Sequence, residues 1–572
     1  MSVFDLDASI RDVTAKLADT QKVDVLISAM QHLHLERSSA LIENFTESCL
    51  QLPNLSPELS NKTLLLRAKA RLAANLHTSA HEDLEAILEV DPDHSEARAL
   101  INSAVQHQSN HSPGLSTEIW HEIALLLPRR DLKTLLSVPH VLSRVASQLL
   151  FRQVDLHFTL DTKESERSAD ILTRIFTDPS FALHIRTLRL FAPEKKQPST
   201  MAFQSRILVN ALPKLTNLCH VYCNMEWKDI ELFVRALENT HHKLCGLSFV
   251  PTNTAHWLPP KFRHLTQFTY SACSGSPQGV NIESKQSLRA VHALLRENKE
   301  SLRVVRLENA KWTFPSEYLA LHKLTHLNFS GTLGPNSTAL LDILNLGVNL
   351  ESLRLHVSVL CCASEQLRRH MISGAHALPS LRHFAFVLHD HCEADADLFP
   401  ALADFLRDHA HLHSLQLTVE GPKALSLWGY DERVWSILPI LWRLKTLDVM
   451  LLKSIPPNVA MWLVPHGLTS LSLHSFAKVP TSFVKQLRDG LHPNLRFIGL
   501  LFRVENVVEV IAHSFPMVRA ARVRDKFYTV HNTAARGVQV EEWPQSRALH
   551  HAGEWLEWFG CEHPWRNPME CD

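Results

Sequence analysis

The 572-residue sequence predicts an α/β chain, helical in its N-terminal part and a strand–helix solenoid over most of the remainder. Three observations carry this reading. Residues 1–158 place apolar side chains at helical spacing and switch to period two only at the end. From Ile185 onward an apolar LxxLxL pattern recurs, with helical stretches between its copies. Hydrophobic residues make up 45% and charged residues 20%, the range of a folded protein with a core of ordinary size.

Residues 1–108 read as helices throughout. Between Arg67 and Leu88 the small Ala68 and Ala80 alternate with Leu72, Leu84 and Ile87, which lets two antiparallel helices approach closely. Pro92 then stops the second helix and starts the next. This A…A…DL…DP skeleton resembles a tetratricopeptide repeat over about residues 59–92. An ordinary amphipathic hairpin is the alternative reading. A polar run, Gln106–Gly114, follows and makes 109–114 the expected linker.

Residues 115–158 predict three short helices and a strand. Leu115, Ile119, Ile123 and Leu127 form one stripe, with Glu118 in the first turn where the helix dipole favours an acid. Pro128 and the Arg129-Arg130 pair end that helix. Asp131 is placed to cap the next, with Leu132, Leu135 and Leu136 on its buried side, and Pro139 ends it. Val141, Leu142, Val145 and Leu149 form a third helix, and Leu150–Phe158 switches to strand period. Helices this short cannot bury so much apolar surface alone, so something else must cover them.

These residues resemble the F-box. Leu115-Ser116-Thr117-Glu118-Ile119, Ile123, Leu127-Pro128, Asp131-Leu132 and Val138 fall at the positions of the family pattern LPxE[IL]…I…L…DL…V. Ser116 stands where the family usually carries proline, and Pro139-His140 where it carries Ser/Cys-Lys/Arg. The resemblance implies docking on the Skp adaptor of an SCF ubiquitin ligase and, through it, on a cullin-RING core. Leu115, Glu118, Ile119, Ile123, Leu127, Leu132 and Val138 would then be the adaptor-binding residues. A plain three-helix linker is the alternative.

The array is expected over 159–525. Good copies of the pattern run from Ile185-Leu188-Leu190 and Leu244-Leu247-Phe249 through Leu353-Leu355 and Leu415-Leu417 to Leu495-Ile498-Leu500. Weaker ones sit at Leu215-Leu218 and Val518-Ala521-Val523, and the mean period is about 28 residues. Helical stretches such as Leu288–Leu295 and Phe399–Leu406 separate the strands. The asparagine that usually follows the last leucine is missing: Ala310, Ser358 and Phe476 stand there. The pattern resembles the irregular leucine-rich repeats of F-box proteins. The whole chain is thus expected as a helical N-terminal region and three-helix F-box followed by a leucine-rich-repeat α/β horseshoe solenoid. The tail, 526–572, holds Trp543, Trp555, Trp558, Phe559 and Trp565 and is expected to fold back over the open end of the array.

The charge balance excludes some partners. Lys and Arg number 58 against 59 Asp and Glu, so no global field draws the chain to nucleic acid or anionic lipid. Ten dispersed cysteines without a CxxC pair fit a reducing compartment. Met1–Asp7 carries early acids, and the sequence offers no apolar run long enough for a membrane span. A cytoplasmic and/or nuclear protein is expected, with no membrane and no specific nucleic acid among its partners.

No GxxxxGK[ST], GxSxG or HExxH occurs, so no catalytic residues and no cofactor are assigned and the chain is read as a non-enzyme. The 36 histidines cluster at His389-Asp390-His391-Cys392-Glu393 and at His409, His411 and His413, whose spacing matches no standard zinc motif, so no metal is assigned either. In an LxxLxL strand the residues between the leucines face away from the core. That alternation puts Arg306, Asn328, Arg354, His356, Gln416 and Asp448 on a mixed polar concave face suited to a protein substrate. The expected function is substrate recognition for an SCF-type E3 ubiquitin ligase. A leucine-rich scaffold or inhibitor without a ligase role is the alternative, and a metal-dependent enzyme using the 389–413 histidines a distant third.

Overall fold

The computed structural model describes residues 17–32, 35–52, 55–74, 76–108, 116–127, 129–138, 141–158, 162–191, 206–224, 230–249, 261–271, 285–372, 377–389, 394–421, 424–456, 459, 462–476, 482–490, 494–502, 507–533, 537–544, 552 and 556. The chain forms two compact units, 1–151 and 152–572.

The described part of the first unit is helical: α1 Asp19–Gln31, α2 Leu35–Leu50, α3 Pro57–Ala73, α4 His77–Val90, α5 Ser95–Gln108, α6 Thr117–Leu125, α7 Arg129–Leu135 and α8 Val141–Leu150. Helix α3 begins on two sequence signals, Pro57 in its first turn and Ser56, whose hydroxyl accepts the Leu59 N–H. Helices α3 and α4 are the hairpin expected from the alanine spacing. Ala68, Ala80, Leu84 and Ile87 are fully buried, and Leu72 is half-buried.

The hairpin also holds a buried ion cluster. Asp83, 4% exposed, accepts from Arg67 Nε at 3.0 Å and Nη2 at 2.6 Å, and from Arg71 Nη1 at 2.8 Å. Glu47 and Glu43 of α2 reach the same two arginines at 3.2 and 3.1 Å. One buried carboxylate therefore ties α3 to α4 while its cationic partners tie α3 to α2.

The second unit is built on one sheet of 16 strands in strict chain order. The parallel strands are β1 Gln153–His157, β2 Thr187–Phe191, β3 His220–Asn224, β4 Gly246–Phe249, β5 Gln267–Ser271, β6 Val304–Thr313, β7 His326–Leu333, β8 Ser352–Val359, β9 His383–Leu388, β10 Ser414–Val419, β11 Thr446–Met450, β12 Ser470–His474, β13 Phe497–Leu501 and β14 Ala520–Val523. Each good copy of the LxxLxL pattern coincides with one of them. The pattern residues stack as a dry ladder: Leu188, Leu265, Leu307, Leu350, Leu355, Leu415 and Leu447 are all fully buried. Connecting helices include Ile230–Thr240, Lys285–Glu297, Ala339–Leu346, Leu398–Arg407 and Ser482–Gly490. No helix among the described residues is long and apolar enough to cross a membrane.

Three expectations are corrected. The strand placed at the end of the 115–158 segment is β1, which pairs in parallel with β2, so the array begins at Gln153 rather than 159. Phe151, Val154 and Leu156 in fact continue the LxxLxL spacing. The weak copy at Leu215-Leu218 precedes its strand, and Val221 and Cys223 fill the pattern positions of β3. Asp131 lies inside the first turn of α7 instead of capping it. The parallel repeats end at Val523, and the segment expected to fold back over the open end does so as a hairpin: β15 Lys526–Thr533 pairs antiparallel with β14, and β16 Gly537–Glu542 with β15.

That hairpin closes the end of the sheet. Trp543 is buried against Phe527, with ring centroids 5.1 Å apart, and its indole N–H donates to Thr529 Oγ1 at 2.7 Å. Phe497, Ala520 and Leu556 complete the cluster. Trp555, Trp558, Phe559 and Trp565 lie outside the described residues.

Replacing Asp83 by alanine strands two half-buried arginines and should lower the stability of the first unit by about 3 kcal/mol, read from urea melting followed by helical circular dichroism. Trp543→Ala removes a buried indole and should cost about 3 kcal/mol in the second unit, with earliest exchange in the β15–β16 amides by hydrogen–deuterium exchange.

Candidate interaction surfaces

Helices α6–α8 form a small closed core of Ala124, Leu132, Val145, Ala146 and Leu150, with Trp120, Leu127, Leu135, Val141 and Leu149 packed around it. Ser116 opens α6 as its N-cap, its hydroxyl accepting the Ile119 N–H. A serine thus supplies with its side chain the helix start that the family pattern usually assigns to proline. This packing divides the expected stripe. Leu132 belongs to the internal core and Leu127 half-buries against it, past the end of α6. Ile119, Ile123 and Val138 are 45%, 36% and 38% exposed, and Glu118 is exposed in the first turn. Leu115, Pro128, Pro139 and His140 lie outside the described residues.

The exposed apolar surface is larger than the stripe. Leu125 at 46%, Leu126 at 85% and Leu136 at 41% join it. Leu136, expected on the buried side of α7, falls just after that helix ends at Leu135 and turns outward. Six aliphatic side chains of one short segment therefore stay in water although the core beneath them is complete. Exposed aliphatic groups clustered in one segment suit a docking surface.

The second surface is the sheet face opposite the leucine ladder. Register places Arg306, Asn328, Arg354, Ala385, Gln416 and Asp448 in one row across β6 to β11. Asp155 and Arg189 begin the same row on β1 and β2, as a bidentate pair with bonds of 2.8 and 2.7 Å. Five of the six residues expected on this face lie in the row, and His356 lies two residues further along β8. The alternation that selected them is the strand period itself.

The row is internally paired. Arg306 donates to Glu308 at 2.6 Å, and the Ser271 hydroxyl donates to the same carboxylate at 2.8 Å. Arg354 reaches over β9 to donate to Gln416 Oε1 on β10 at 3.0 Å. It can do so because its register neighbour on β9 is the small Ala385. Burial, reinforced by the nearby Arg306, pushes the Arg354 guanidinium down to about 10. Asp448 pairs with His474 of β12 at 2.6 Å.

One repeat edge carries a denser group. His356 Nε2 donates to Glu420 Oε1 at 3.0 Å and His389 Nδ1 to Glu420 Oε2 at 2.7 Å, while the two imidazoles stack at 4.1 Å. These two hydrogen bonds hold the Glu420 carboxyl far below the usual carboxylate range. Among the described histidines of the 389–413 segment, His409 and His411 approach with ring centroids 5.9 Å apart, but no three metal-competent groups of that segment gather at one point. Both ring nitrogens of His409 face backbone carbonyls, of Phe405 and Ala377, at 2.9 Å each. Asp390, His391, Cys392 and Glu393 lie outside the described residues. The partners of His389 come from the flanking repeats, which sequence clustering cannot reveal; strand alternation carried two residues past the pattern would have found them.

No family model matches the chain, and no curated protein matches it. Among solved structures it is similar to the leucine-rich repeat-containing protein LegL7 from Legionella pneumophila, at 12% identity and TM-score 0.26, over 59% of this chain and 97% of that one. It is also similar to a chain of the Rad7 and Elc1 complex in yeast, at 14% identity and TM-score 0.34, over 77% of this chain and 93% of that one. The repeat architecture stands on the strand register of the chain itself.

Glu308 and Glu420 both ionise more readily in the folded array than at the ordinary carboxylate value of 4.5. For Glu308, burial opposes ionisation and Arg306 outweighs it. A folded-state value below the unfolded one contributes stability above that value and loses it as the pH falls. The melting temperature of the second unit should therefore drop between about pH 5 and pH 3, and a Glu308→Gln, Glu420→Gln double variant should be less stable near pH 7 with a flatter profile over that window.

Proposed function

We propose that this chain is a substrate-recognition subunit of an SCF-type E3 ubiquitin ligase. Residues 116–150 dock on a Skp adaptor, and the repeat array holds a protein substrate. The observation that carries the reading is the aliphatic surface of Ile119, Ile123, Leu125, Leu126, Leu136 and Val138, left in water over a core that is already closed. A structural linker would gain nothing from that exposure. An adaptor-binding segment requires it, and the side chains sit on the elements whose sequence matches the F-box pattern.

The row from Arg306 to Asp448 supports the second half of the proposal. Arg306, Arg354, Gln416 and Asp448 are held by neighbouring side chains and partly buried, so the face is prepared before a partner arrives and loses little side-chain freedom on binding. It contains both signs of charge, unlike the dense Lys/Arg stripe that duplex nucleic acid demands. The chain contributes no chemistry of its own in this scheme. It raises the local concentration of substrate beside a conjugating enzyme carried by the cullin-RING core. The compartment is cytoplasmic and/or nuclear.

The alternative is a repeat scaffold without a ligase role, and one experiment separates the two. The full chain is co-purified with a Skp adaptor as wild type and as an Ile119→Asp, Ile123→Asp double variant. Both positions are exposed, so the variant should melt like the wild type. Retention of the adaptor by the wild type and a loss of at least about 100-fold in affinity in the variant are expected for two charges placed in an apolar contact. Failure of the wild type to bind gives the scaffold reading the lead.

A further inference from the structure

Three side chains from adjacent repeats converge on one point of the sheet face. His356 lies on β8, where register aligns it with Val387 of β9 and, through Val387, with Thr418 of β10. His389 and Glu420 are each two residues beyond those partners and so share the face of His356. Their backbones remain in the ladder after the strands formally end. His389 N–H donates to Val357 O at 3.1 Å, and Glu420 N–H to Leu388 O at 2.7 Å. All three side chains therefore stand on rigid supports.

One nitrogen from each histidine and one carboxylate oxygen lie within 4.8 Å of one another. Ligands of a tetrahedral zinc ion at about 2.0–2.1 Å stand roughly 3.3 Å apart, so small side-chain rotations bring these three atoms onto one ion. The carboxylate already bridges both rings, at 3.0 and 2.7 Å, in the positions an ion would share. Glu420 and His356 are 52% and 34% exposed at the side chain, so an ion can enter and a fourth position faces solvent.

We propose that His356, His389 and Glu420 form a binding site for a divalent transition metal, zinc being the ion that two imidazoles and one carboxylate suit, with water in the fourth position. The site is independent of the adaptor surface on α6–α8. It lies on the face proposed to hold substrate, and its open position offers a coordination point there.

The test is titration of chelator-treated full-length chain with Zn²⁺ by calorimetry, and with Co²⁺ by visible absorption. One ion per chain is expected, with Co²⁺ bands of tetrahedral intensity. His356→Gln and His389→Gln should each weaken binding by at least about 100-fold, the upper range for loss of an outer-shell partner. A His411→Gln, His413→Gln variant should bind like the wild type. Thermal melting of each variant without metal separates loss of ligand from loss of fold; the exposed Glu420→Gln serves if a histidine variant melts early. Absence of saturable binding, or binding that follows His411 and His413 instead, overturns the proposal.

Discussion

The second unit depends on one constraint, the parallel alignment of each LxxLxL segment with the next. Strand pairing fixes the spacing between repeats, and the pattern residues then meet as a continuous apolar stack. A single strand–helix unit could not bury its leucines; fourteen parallel strands in chain order do so collectively. The same alignment lines up every residue between the leucines across the sheet. The polar row is therefore a by-product of the core, and its members face one another because their neighbours had to pack.

Repetition leaves two ends to be closed. At one end Asp155 of β1 grips Arg189 of β2 through two hydrogen bonds, which anchors the first strand of the array to its only neighbour in the sheet. At the other the sheet changes direction. The β15–β16 hairpin pairs antiparallel, and Trp543 seals it with one ring stack and one hydrogen bond. In the middle repeats β6, β7 and β8 run to 10, 8 and 8 residues, longer than most of the others. Ser358 stands in β8 where an asparagine would usually turn the chain, and it stays paired with Thr332, whereas the β6 ladder shifts register between Glu308 and Thr313. That extra length carries β8 past His356 and provides the support on which the histidine–glutamate group is assembled.

The first unit obeys a different economy. Its helices pack without a repeating pattern: α3 and α4 meet through small buried residues, and the Asp83 cluster ties α2, α3 and α4 together. Helices α6–α8 complete a core with Ala124 and Ala146, whose small side chains let α6 and α8 approach closely. Because that core closes on so few residues, Ile119, Ile123, Leu125, Leu126, Leu136 and Val138 are left over for a partner.

Periodicity alone determined most of the strand positions, several connecting helices and the identity of the outward-facing row, because each is a local consequence of side-chain alternation along the chain. It also gave α3 and α4 from alanine spacing and located the three short helices at 117–150. Only the tertiary structure decided which apolar residues of those helices are core and which remain exposed, since both kinds share one helical spacing. It decided that β1 and β15–β16 belong to the sheet, because pairing partners are not written in the strand that seeks them. It brought Asp83 to Arg67 and Arg71, Arg354 to Gln416, and His356 to His389 and Glu420. Those contacts join residues far apart in sequence, and no local pattern encodes a distance that only register and packing set.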